Sequence, residues 1–427
     1  MKSRKPRVVV VGAGFAGLRA VRQLARNPVE ILLIDRNNYH TFIPLLYQVA
    51  TGFIAPEQIA YPLRRVLRRI PNARFLMAEA NYVNFDRRVV ETDVVNVEYD
   101  YLIMATGART RFLEVEGAAR YSFGLNTLED AVRLREQILR CFEEAEHQSD
   151  VDITQQLLTF TIVGGGPTGV ELAGAVVDWV QGTLCRNYSI SAPVRVILLQ
   201  SGDRLLAGFP EGLSRYSNRQ LSRRGVRVHF QTRVRSVAPT GVTLEDGTTI
   251  ETATVIWTAG VEAHRPDTTA EVPTATQKKV VVRSTLQFPE HPCAYGVGDL
   301  AYVTQDGEPL VGVAPEALQQ GTTVAANIKR QLQGRAPLTF DYFDKGRAAI
   351  IARNAGVAYL FNKISVRGFF AWFLWLGIHL YYLPGFSNRW LVLVSWIRDY
   401  LTKYRAILHI FGFKKITLSN NLKDKKI

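Results

Sequence analysis

Two sets of three glycines have the spacing that nucleotide-binding turns require. In the first set, Gly12, Gly14 and Gly17 lie between an apolar run and a stretch with helical periodicity. Glycine at these positions allows a tight turn, a close approach of the backbone to a pyrophosphate, and close packing of helix on strand. Asp35 ends the next apolar run, where a carboxylate can accept a hydrogen bond from a ribose hydroxyl. The pattern predicts that residues 7–36 form a βαβ unit that binds the ADP half of a dinucleotide.

The second set has the same layout. Gly164, Gly166 and Gly169 again separate an apolar run from a predicted helix, so the chain is expected to bind two dinucleotides. Gln200 stands where a ribose-binding carboxylate is usual. Because a neutral amide does not repel a 2′-phosphate, both NADH and NADPH are candidates for this unit, and Arg204 is a candidate phosphate partner. The expected nicotinamide-nucleotide residues are Gly164, Gly166, Pro167, Thr168, Gly169, Glu171, Gln200 and Gly260.

A late Gly-Asp pair identifies the nucleotide of the first unit. Asp299 ends the apolar segment 294–299, and in two-nucleotide flavoproteins such a carboxylate reaches the ribityl or pyrophosphate part of FAD. A second apolar run ends at Thr106 and Gly107. We therefore expect FAD in the first unit. The expected FAD residues are Gly12, Gly14, Phe15, Ala16, Gly17, Asp35, Arg36, Thr106, Gly107 and Asp299.

The elements that position these residues indicate an α/β fold with two Rossmann-like dinucleotide-binding domains. A chain of 427 residues with 47% hydrophobic residues is long enough for two or three cores. The predicted domains are a discontinuous FAD-binding domain at 1–125 and 260–340, an NAD(P)H-binding domain at 126–259, and a C-terminal region at 341–427. Within the second domain, the alternating pattern at 226–250 predicts a small antiparallel hairpin.

The C-terminal region contains a long apolar and aromatic run. The run covers 369–383, and Pro384 and Gly385 interrupt it before apolar residues resume at Trp390. At about 1.5 Å per residue the run is about 22 Å long, shorter than the roughly 30 Å hydrocarbon core of a bilayer. We expect an amphipathic helical anchor that lies in or on a membrane rather than crossing it.

Charge and cysteine usage exclude several classes of protein. Cys141, Cys185 and Cys293 have no CxxC or Cys/His spacing, so neither a disulfide framework nor a metal site is expected. The net charge of +14 comes without a nucleic-acid-binding motif, so nucleic acid is not an expected partner. The first apolar run begins six residues in, which predicts a chain without a cleavable signal peptide that stays in the cytoplasm.

With these features together, the chain resembles a known family, the type II NADH:quinone oxidoreductases, which are single-subunit, non-pumping NADH dehydrogenases. The resemblance covers nearly the whole length. It rests on residues 35–52, both glycine sets, Gly296-Val-Gly-Asp299, residues 314–321, and the aromatic C-terminal segment with His379. It implies a glutathione-reductase-like fold, hydride transfer from NADH to FAD, and reduction of ubiquinone or menaquinone. It also implies a peripheral, monotopic position on the cytoplasmic face of the cell membrane, and a homodimer as one option.

The resemblance further implies a quinone site. The family's Ala-Gln-x-Ala-x-Gln motif aligns with residues 314–319, where Pro315 replaces the first glutamine. The expected quinone residues are Pro44, Pro315, Gln319 and Gln320, and the expected catalytic residues are Glu171 and Gln319. Glu171 has two interpretations: it bonds ribose or backbone, or it is a buried carboxylate linked to proton uptake when quinone is reduced.

Two other functions share parts of this pattern. A sulfide:quinone oxidoreductase-like enzyme has both nucleotide folds and the tail, but it needs redox cysteines near the flavin. Cys141 and Cys185 fall in the second domain, and Cys293 has no evident resolving partner. A nucleotide-binding redox sensor with little turnover fits the same sequence, and slow reoxidation of its flavin by every quinone would identify it.

Overall fold

The computed structural model describes residues 4–402 and 407–410, and the chain divides into two units. Unit 1 consists of Met1–Thr41, Ala60–Arg109 and Val261–Lys345. Unit 2 consists of Phe42–Ile59, Thr110–Gly260 and Gly346–Ile427. The domain boundaries expected from the sequence stay a prediction.

Apolar, β-branched runs build the central sheet of unit 1. The inner strands are buried on both faces, as the strands of a parallel sheet are, and Val10 lies opposite both Leu33 and Ile103. The strands of this sheet, in spatial order, are Gln287–Phe288, His291–Gly296, Tyr101–Met104, Arg7–Val11, Glu30–Asp35 and Ala73–Met77. The first pair is antiparallel and the others are parallel. The carboxyl ends of the parallel strands therefore meet at one edge, where nucleotides bind in such sheets.

Helices cover this sheet and smaller strands extend unit 1. The α-helices are Phe15–Gln23, Leu63–Leu67 and Ala314–Leu332, with short 3-10 turns at Thr276–Lys278 and Gly298–Leu300. Ala80–Asn84, Val89–Thr92, Asn96–Glu98 and Asp267–Thr268 form a four-stranded sheet. The short paired strands are Tyr39–Thr41 with Ala60–Pro62, Val280–Val281 with Ala301–Tyr302, and Thr304–Gln305 with Glu308–Pro309. Two further strands are Val261–Ala263 and Ala108–Thr110, where the chain passes into unit 2.

Unit 2 has its own parallel sheet. Its strands, in spatial order, are Ser122–Gly124, Thr254–Trp257, Thr159–Val163, Arg195–Leu199 and Val226–His229. All neighbouring strands are parallel. With a mainly parallel sheet and flanking helices in each unit, the predicted α/β class is confirmed.

The helices of unit 2 include one that follows the second glycine set. They are Leu46–Ala50, Pro56–Ile59, Ala118–Tyr121, Leu128–Glu146, Val151–Leu157, Pro167–Trp179, Cys185–Asn187, Glu211–Ser222, Phe369–Tyr382 and Phe386–Thr402, with a 3-10 turn at Ile43–Leu45 and a π-helical turn at Val180–Leu184. A capping box in which Thr127 and Asp130 bond each other's backbone begins the helix Leu128–Glu146.

The hairpin expected at 226–250 is correct only in part. Val226–His229 joins the parallel sheet beside Arg195–Leu199. The antiparallel sheet begins later and consists of Val234–Ala238, Gly241–Leu244 and Thr249–Glu251. An alternating pattern does not distinguish these cases, because an edge strand of a parallel sheet also exposes every second side chain.

The C-terminal part of unit 2 forms a three-stranded antiparallel sheet and two helices. The strands are Gly346–Ala352, Ala355–Leu360 and Ile364–Gly368. The helix Phe369–Tyr382 buries Ala371 and Trp375 but leaves Phe370 77% exposed. In the next helix Phe386 is 84% exposed. Among the described residues, no helix combines the length and the apolar character that crossing a bilayer needs.

Candidate functional site

The first glycine set forms a phosphate cradle in unit 1. Gly12 has φ +102°, and a Cβ there would lie 2.2 Å from the carbonyl oxygen of Ala105. A Cβ on Gly17 would lie 1.9 Å from the carbonyl oxygen of Gly12. Packing thus requires both glycines, whereas a Cβ on Gly14 would meet nothing within 4 Å. This open space lies at the N-terminus of the helix Phe15–Gln23, where a pyrophosphate fits.

Asp35 lies beside this cradle. Its Oδ2 accepts a hydrogen bond from the N–H of Ala13 at 2.7 Å, and its Oδ1 accepts one from Asn37 at 2.8 Å. Burial raises the pKa of Asp35, while these two bonds and the neighbouring Arg36 lower it. Arg36 itself is exposed and lies 3.7 Å from Glu79. The remaining lone pairs of Asp35 can accept from a ribose hydroxyl, as the sequence predicts.

The other predicted FAD residues lie on loops at the ends of neighbouring strands of the same sheet. Gly107 and Gly298 have φ +72° and +69°, a conformation that favours glycine. Thr106 donates a hydrogen bond to the carbonyl oxygen of His264. Burial raises the pKa of Asp299, and a nearby lysine lowers it. Unit 1 therefore fits FAD, because an open phosphate cradle and two carboxylates lie at the carboxyl edge of one sheet.

The helix Ala314–Leu332 also lies beside the glycine loop of unit 1. Pro315 lies in its first turn, as expected. Gly321 lets it approach the glycine loop, since a Cβ there would lie 2.3 Å from the carbonyl oxygen of Ala16. Gln320 is buried, and its Oε1 accepts from the N–H of Gly298 at 2.6 Å. Gln320 thus braces the turn that carries Asp299, a role that the sequence does not indicate.

Gln319 is also bonded within unit 1. Its Nε2 donates to the carbonyl oxygen of Phe343 and its Oε1 accepts from the N–H of the same residue, both at 3.0 Å. The side chain thereby ties the helix to the segment that follows it. The role of Gln319 as a quinone contact stays a prediction.

The second glycine set forms an equivalent cradle in unit 2. Gly164 has φ +111°, and a Cβ there would lie 2.8 Å from the backbone of Ala259. A Cβ on Gly169 would lie 1.9 Å from the carbonyl oxygen of Gly164, and one on Gly166 would meet nothing within 4 Å. Pro167 begins the following helix and is exposed beside Thr168.

Gln200 takes the place in unit 2 that Asp35 has in unit 1. Its Oε1 accepts from the N–H of Gly165 at 2.8 Å, just as Asp35 accepts from Ala13. Arg204 donates to the carbonyl oxygen of Ala207, three residues along the chain. Gly260 ends the neighbouring strand region with φ +153°. The arrangement suits a nicotinamide dinucleotide and puts no carboxylate at its ribose position.

Glu171, five residues into the helix Pro167–Trp179, lines a cavity of about 870 Å³ inside unit 2. Its Oε1 accepts from the N–H of Ile350 at 3.1 Å. Burial raises the pKa of Glu171 to about 8, although this N–H and the indole of Trp375 lower it. The indole N–H faces the carboxyl group without completing a hydrogen bond. Glu171 is therefore mainly a neutral acid near pH 7.

A buried polar chain forms another wall of the same cavity. The Nε2 of Gln48 donates to the hydroxyl of Tyr47 at 3.0 Å, and the indole N–H of Trp396 donates to Oε1 of Gln48 at 2.8 Å. The remaining wall is largely apolar or aromatic. It includes Phe369, Trp372, Phe373, Leu376 and Leu380. Sequence reasoning missed Gln48 and Trp396, although residues 35–52 carried part of the family resemblance.

Two further residues that the sequence singles out, the expected quinone contact Pro44 and His379 of the aromatic segment, lie in unit 2. Pro44 is half-buried in the turn Ile43–Leu45 and is not among the residues that line the cavity. His379 stacks on Trp375 with ring centroids 3.6 Å apart, and its Nδ1 lies 2.8 Å from the carbonyl oxygen of the same residue. Burial lowers the pKa of His379 to about 4, so its imidazole is neutral near pH 7.

The two cradles and their sheets define a class of protein, the oxidoreductases with two dinucleotide folds. Residues 6–321 match the family described as pyridine nucleotide-disulphide oxidoreductase. The type II NADH:quinone oxidoreductase Ndh of Mycobacterium tuberculosis is 37% identical over 95% of this chain and 90% of its own length. The chain belongs to the type II NADH:quinone oxidoreductase family. The resemblance noted in the sequence is thus confirmed.

More distant proteins are similar to this chain over nearly its whole length. The mitochondrial internal alternative NAD(P)H-ubiquinone oxidoreductase A1 of Solanum tuberosum is 26% identical over 92% of this chain and 86% of its own length. The solved structure of NDH2 from Plasmodium falciparum in complex with NADH has a TM-score of 0.87. It is 18% identical, with 95% of this chain and 100% of that one covered, so it shows the shared fold.

Proposed function

We propose that this chain transfers electrons from NADH, through FAD, to a membrane quinone without pumping protons. The family membership supports the overall reaction. The observation that carries the proposal is the presence of two nucleotide cradles together with a separate apolar cavity that contains a neutral carboxylic acid. FAD, when bound, supplies the hydride-accepting and electron-transferring chemistry.

The residues of unit 1 bind and orient FAD in this proposal. The backbone around Gly14 receives the pyrophosphate, because a Cβ there would point into open space. Asp35 accepts from a ribose hydroxyl, and Asp299 accepts from the ribityl or pyrophosphate part. Gln320 holds the Gly298 turn at its backbone N–H, which fixes the position of Asp299.

The residues of unit 2 bind the nicotinamide dinucleotide at Gly166, beside Gln200. The Oε1 of Gln200 is used by Gly165, so its Nε2 hydrogens are the donors that remain. An amide N–H can donate to a 2′-hydroxyl or to a 2′-phosphate. We therefore propose that NADH and NADPH both bind, with no charge repulsion against the latter.

The cavity in unit 2 is the proposed site for the quinone ring. Its aromatic and aliphatic wall suits a ring that carries an apolar tail. Glu171 is protonated near pH 7 and can give a proton to a quinone oxygen as that oxygen gains charge. Gln48, fixed by Tyr47 and Trp396, offers a buried amide to orient the ring.

The lining of the cavity supports Glu171 and Gln48 as quinone contacts more strongly than it supports Gln319 and Gln320. Both amide ends of Gln319 are bonded to the backbone, and the Oε1 of Gln320 is bonded to Gly298. Gln319, Gln320, Pro315 and Pro44 remain proposed quinone contacts, to be tested by substitution.

The exposed aromatic side chains of the two C-terminal helices support attachment to a lipid surface. Trp390 is 58% exposed, and Phe370 and Phe386 are more exposed still. Aromatic side chains of this kind suit the membrane interface. We propose a monotopic position on the cytoplasmic face of the membrane, and a homodimer whose existence sedimentation of the detergent-solubilised protein would test.

The cysteines weaken the sulfide alternative. Cys141 is fully buried, and burial raises the pKa of its thiol to about 12, so it is not a thiolate near neutral pH. Cys185 and Cys293 are both free, and neither forms a disulfide. A sulfur relay needs two cysteines that meet.

Anaerobic stopped-flow spectroscopy tests the proposal in two half-reactions. The yellow holoprotein is mixed first with NADH or NADPH and then with a soluble quinone, and the flavin absorbance is followed. Fast bleaching by either nucleotide and fast return with quinone are expected. Bleaching without return would favour the redox sensor. No bleaching by either nucleotide, followed by bleaching with sulfide, would restore the sulfide enzyme.

A further inference from the structure

Unit 1 contains a buried lysine beside the proposed FAD residues. Lys279 is only 7% exposed, although lysines are rarely buried without a partner. It directly precedes the strand Val280–Val281, which pairs with the strand that follows Asp299. Among the described residues, Lys279 forms no ion pair.

Gly312 shows how close Lys279 and Asp299 are. A Cβ on Gly312 would lie 3.3 Å from Nζ of Lys279 and 3.5 Å from Oδ1 of Asp299. The ammonium and the carboxylate therefore face the same small space. Gly312 keeps that space free, and its φ of +87° also favours glycine.

A third charged group, Glu316, belongs to this cluster. Its Oε2 already accepts from the N–H groups of Gly312 and Val313, at 2.8 and 3.3 Å. Glu316 is thus stabilised by backbone donors at the start of the helix Ala314–Leu332. Asp299 accepts no such bond from a described residue, so the field of Lys279 matters more to it.

We propose that Lys279 is a positioning residue of the FAD site, which keeps the Asp299 carboxylate ionised and oriented to accept hydrogen bonds from FAD. The inference rests on the proposed contact between Asp299 and FAD. An ionised carboxylate offers acceptors only, and its hydrogen bonds are stronger than those of a neutral acid. Burial alone pushes Asp299 towards the neutral acid, and Lys279 opposes that effect.

The neighbouring lysine provides a matched control. Lys278 is adjacent in sequence, but its side chain is 67% exposed and its Nζ lies 3.0 Å from Oε2 of Glu262. Removing the charge of Lys278 changes the net charge of unit 1 by the same amount. Only Lys279 faces Asp299.

The test measures how fast the holoprotein releases FAD, from the rise in free-flavin fluorescence after dilution at a series of pH values. Lys279→Met should release FAD faster, by up to about tenfold for each unit by which the loss of a close opposite charge raises the carboxyl pKa of Asp299. At higher pH, where Asp299 ionises without the help of Lys279, the rate of FAD release from the variant should return to that of the wild type. The charge of Lys279 acts on both Asp299 and Glu316, so Glu316→Gln serves as a check on the second carboxylate.

Lys279→Arg and Lys278→Met should both behave like the wild type. In an Asp299→Asn background, Lys279→Met should not speed FAD release further, because Lys279 acts through the Asp299 carboxylate. The inference is wrong if the double variant speeds FAD release by the product of the two separate effects. It is also wrong if Lys279→Met leaves the pH midpoint of FAD release unchanged. If Lys279→Met does not fold, by circular dichroism, Lys279→Gln replaces it. Unchanged FAD release in Asp299→Asn alone would instead show that the premise about Asp299 is wrong.

Discussion

Replacing Glu171 with glutamine tests the electrostatics of the cavity directly. In the folded chain burial raises the pKa of this carboxyl from 4.5 to about 8. Between these values the folded state holds a proton that the unfolded state has lost. The free energy of unfolding of the wild type therefore falls as pH rises through this window. The stabilising contribution of the bound proton is fully present only below the pKa of Glu171 in the unfolded chain.

The size of the effect follows from the shift. At about 1.36 kcal/mol per pKa unit, moving from 4.5 to about 8 corresponds to roughly 5 kcal/mol of lost stability at alkaline pH. Near pH 7 roughly 70% of that loss has occurred. Glu171→Gln keeps the acceptor for the N–H of Ile350 but buries an amide NH₂ group, which costs about 1–3 kcal/mol if unpaired. The variant should thus be less stable than the wild type in acid and more stable in alkali.

Urea unfolding followed by tryptophan fluorescence measures this crossover. All six tryptophans fall in unit 2, so the signal reports the unit that contains Glu171. Gln200→Asn, at a site away from the cavity lining, is a control for a change of side chain in the same unit. Equal slopes of stability against pH in the wild type and Glu171→Gln would refute the reasoning, since they would mean that Glu171 titrates normally.

Five further substitutions probe the separate sites. Gln200→Asp should lower kcat/KM for NADPH by about 100-fold and leave NADH nearly unchanged, because a carboxylate repels the 2′-phosphate; steady-state rates with both nucleotides check it. Gly14→Ala should lower bound FAD per chain, and Gly166→Ala should raise the KM for NADH while FAD stays bound, because each added methyl group would occupy the open space proposed for a pyrophosphate. The reverse pattern would mean that the two nucleotides are assigned to the wrong cradles. Gln319→Ala loses two backbone hydrogen bonds, about 1–2 kcal/mol of stability, and should raise the quinone KM without slowing flavin reduction by NADH; equal damage to both half-reactions would contradict a quinone contact. Trp390→Asp should weaken sedimentation with liposomes by about tenfold without loss of FAD, as expected for an exposed interfacial aromatic; unchanged binding would mean that other residues carry the attachment.

Local sequence patterns predicted the two nucleotide cradles. Contacts between residues far apart in the sequence determine which side chains surround and brace the sites. The positions of Gly12 and Gly164 follow from backbone conformation within one turn, so their spacing was sufficient to find them. The bond between Gln48 and Trp396 joins residues 348 positions apart, and no periodicity signals it. Gln320, expected as a quinone contact beside the motif, also accepts a hydrogen bond at its side-chain Oε1 from the N–H of Gly298, which no sequence pattern indicates. Sequence patterns therefore located the binding sites but not the side chains that brace them.

Under the proposed function, the comparison of Asp35 with Gln200 connects the two cradles to the different roles of FAD and the nicotinamide nucleotide. Each side chain accepts one hydrogen bond from the second residue of its glycine turn, at 2.7 and 2.8 Å, so geometry does not distinguish them. Charge does, because hydrogen bonds to an ionised acceptor are roughly twice as strong as neutral ones. A cofactor that stays bound through many turnovers benefits from the carboxylate, whereas a co-substrate that must leave after each turnover is better served by the neutral amide. Exchanging the charge at either position should therefore change nucleotide dissociation more than the fold of the cradle.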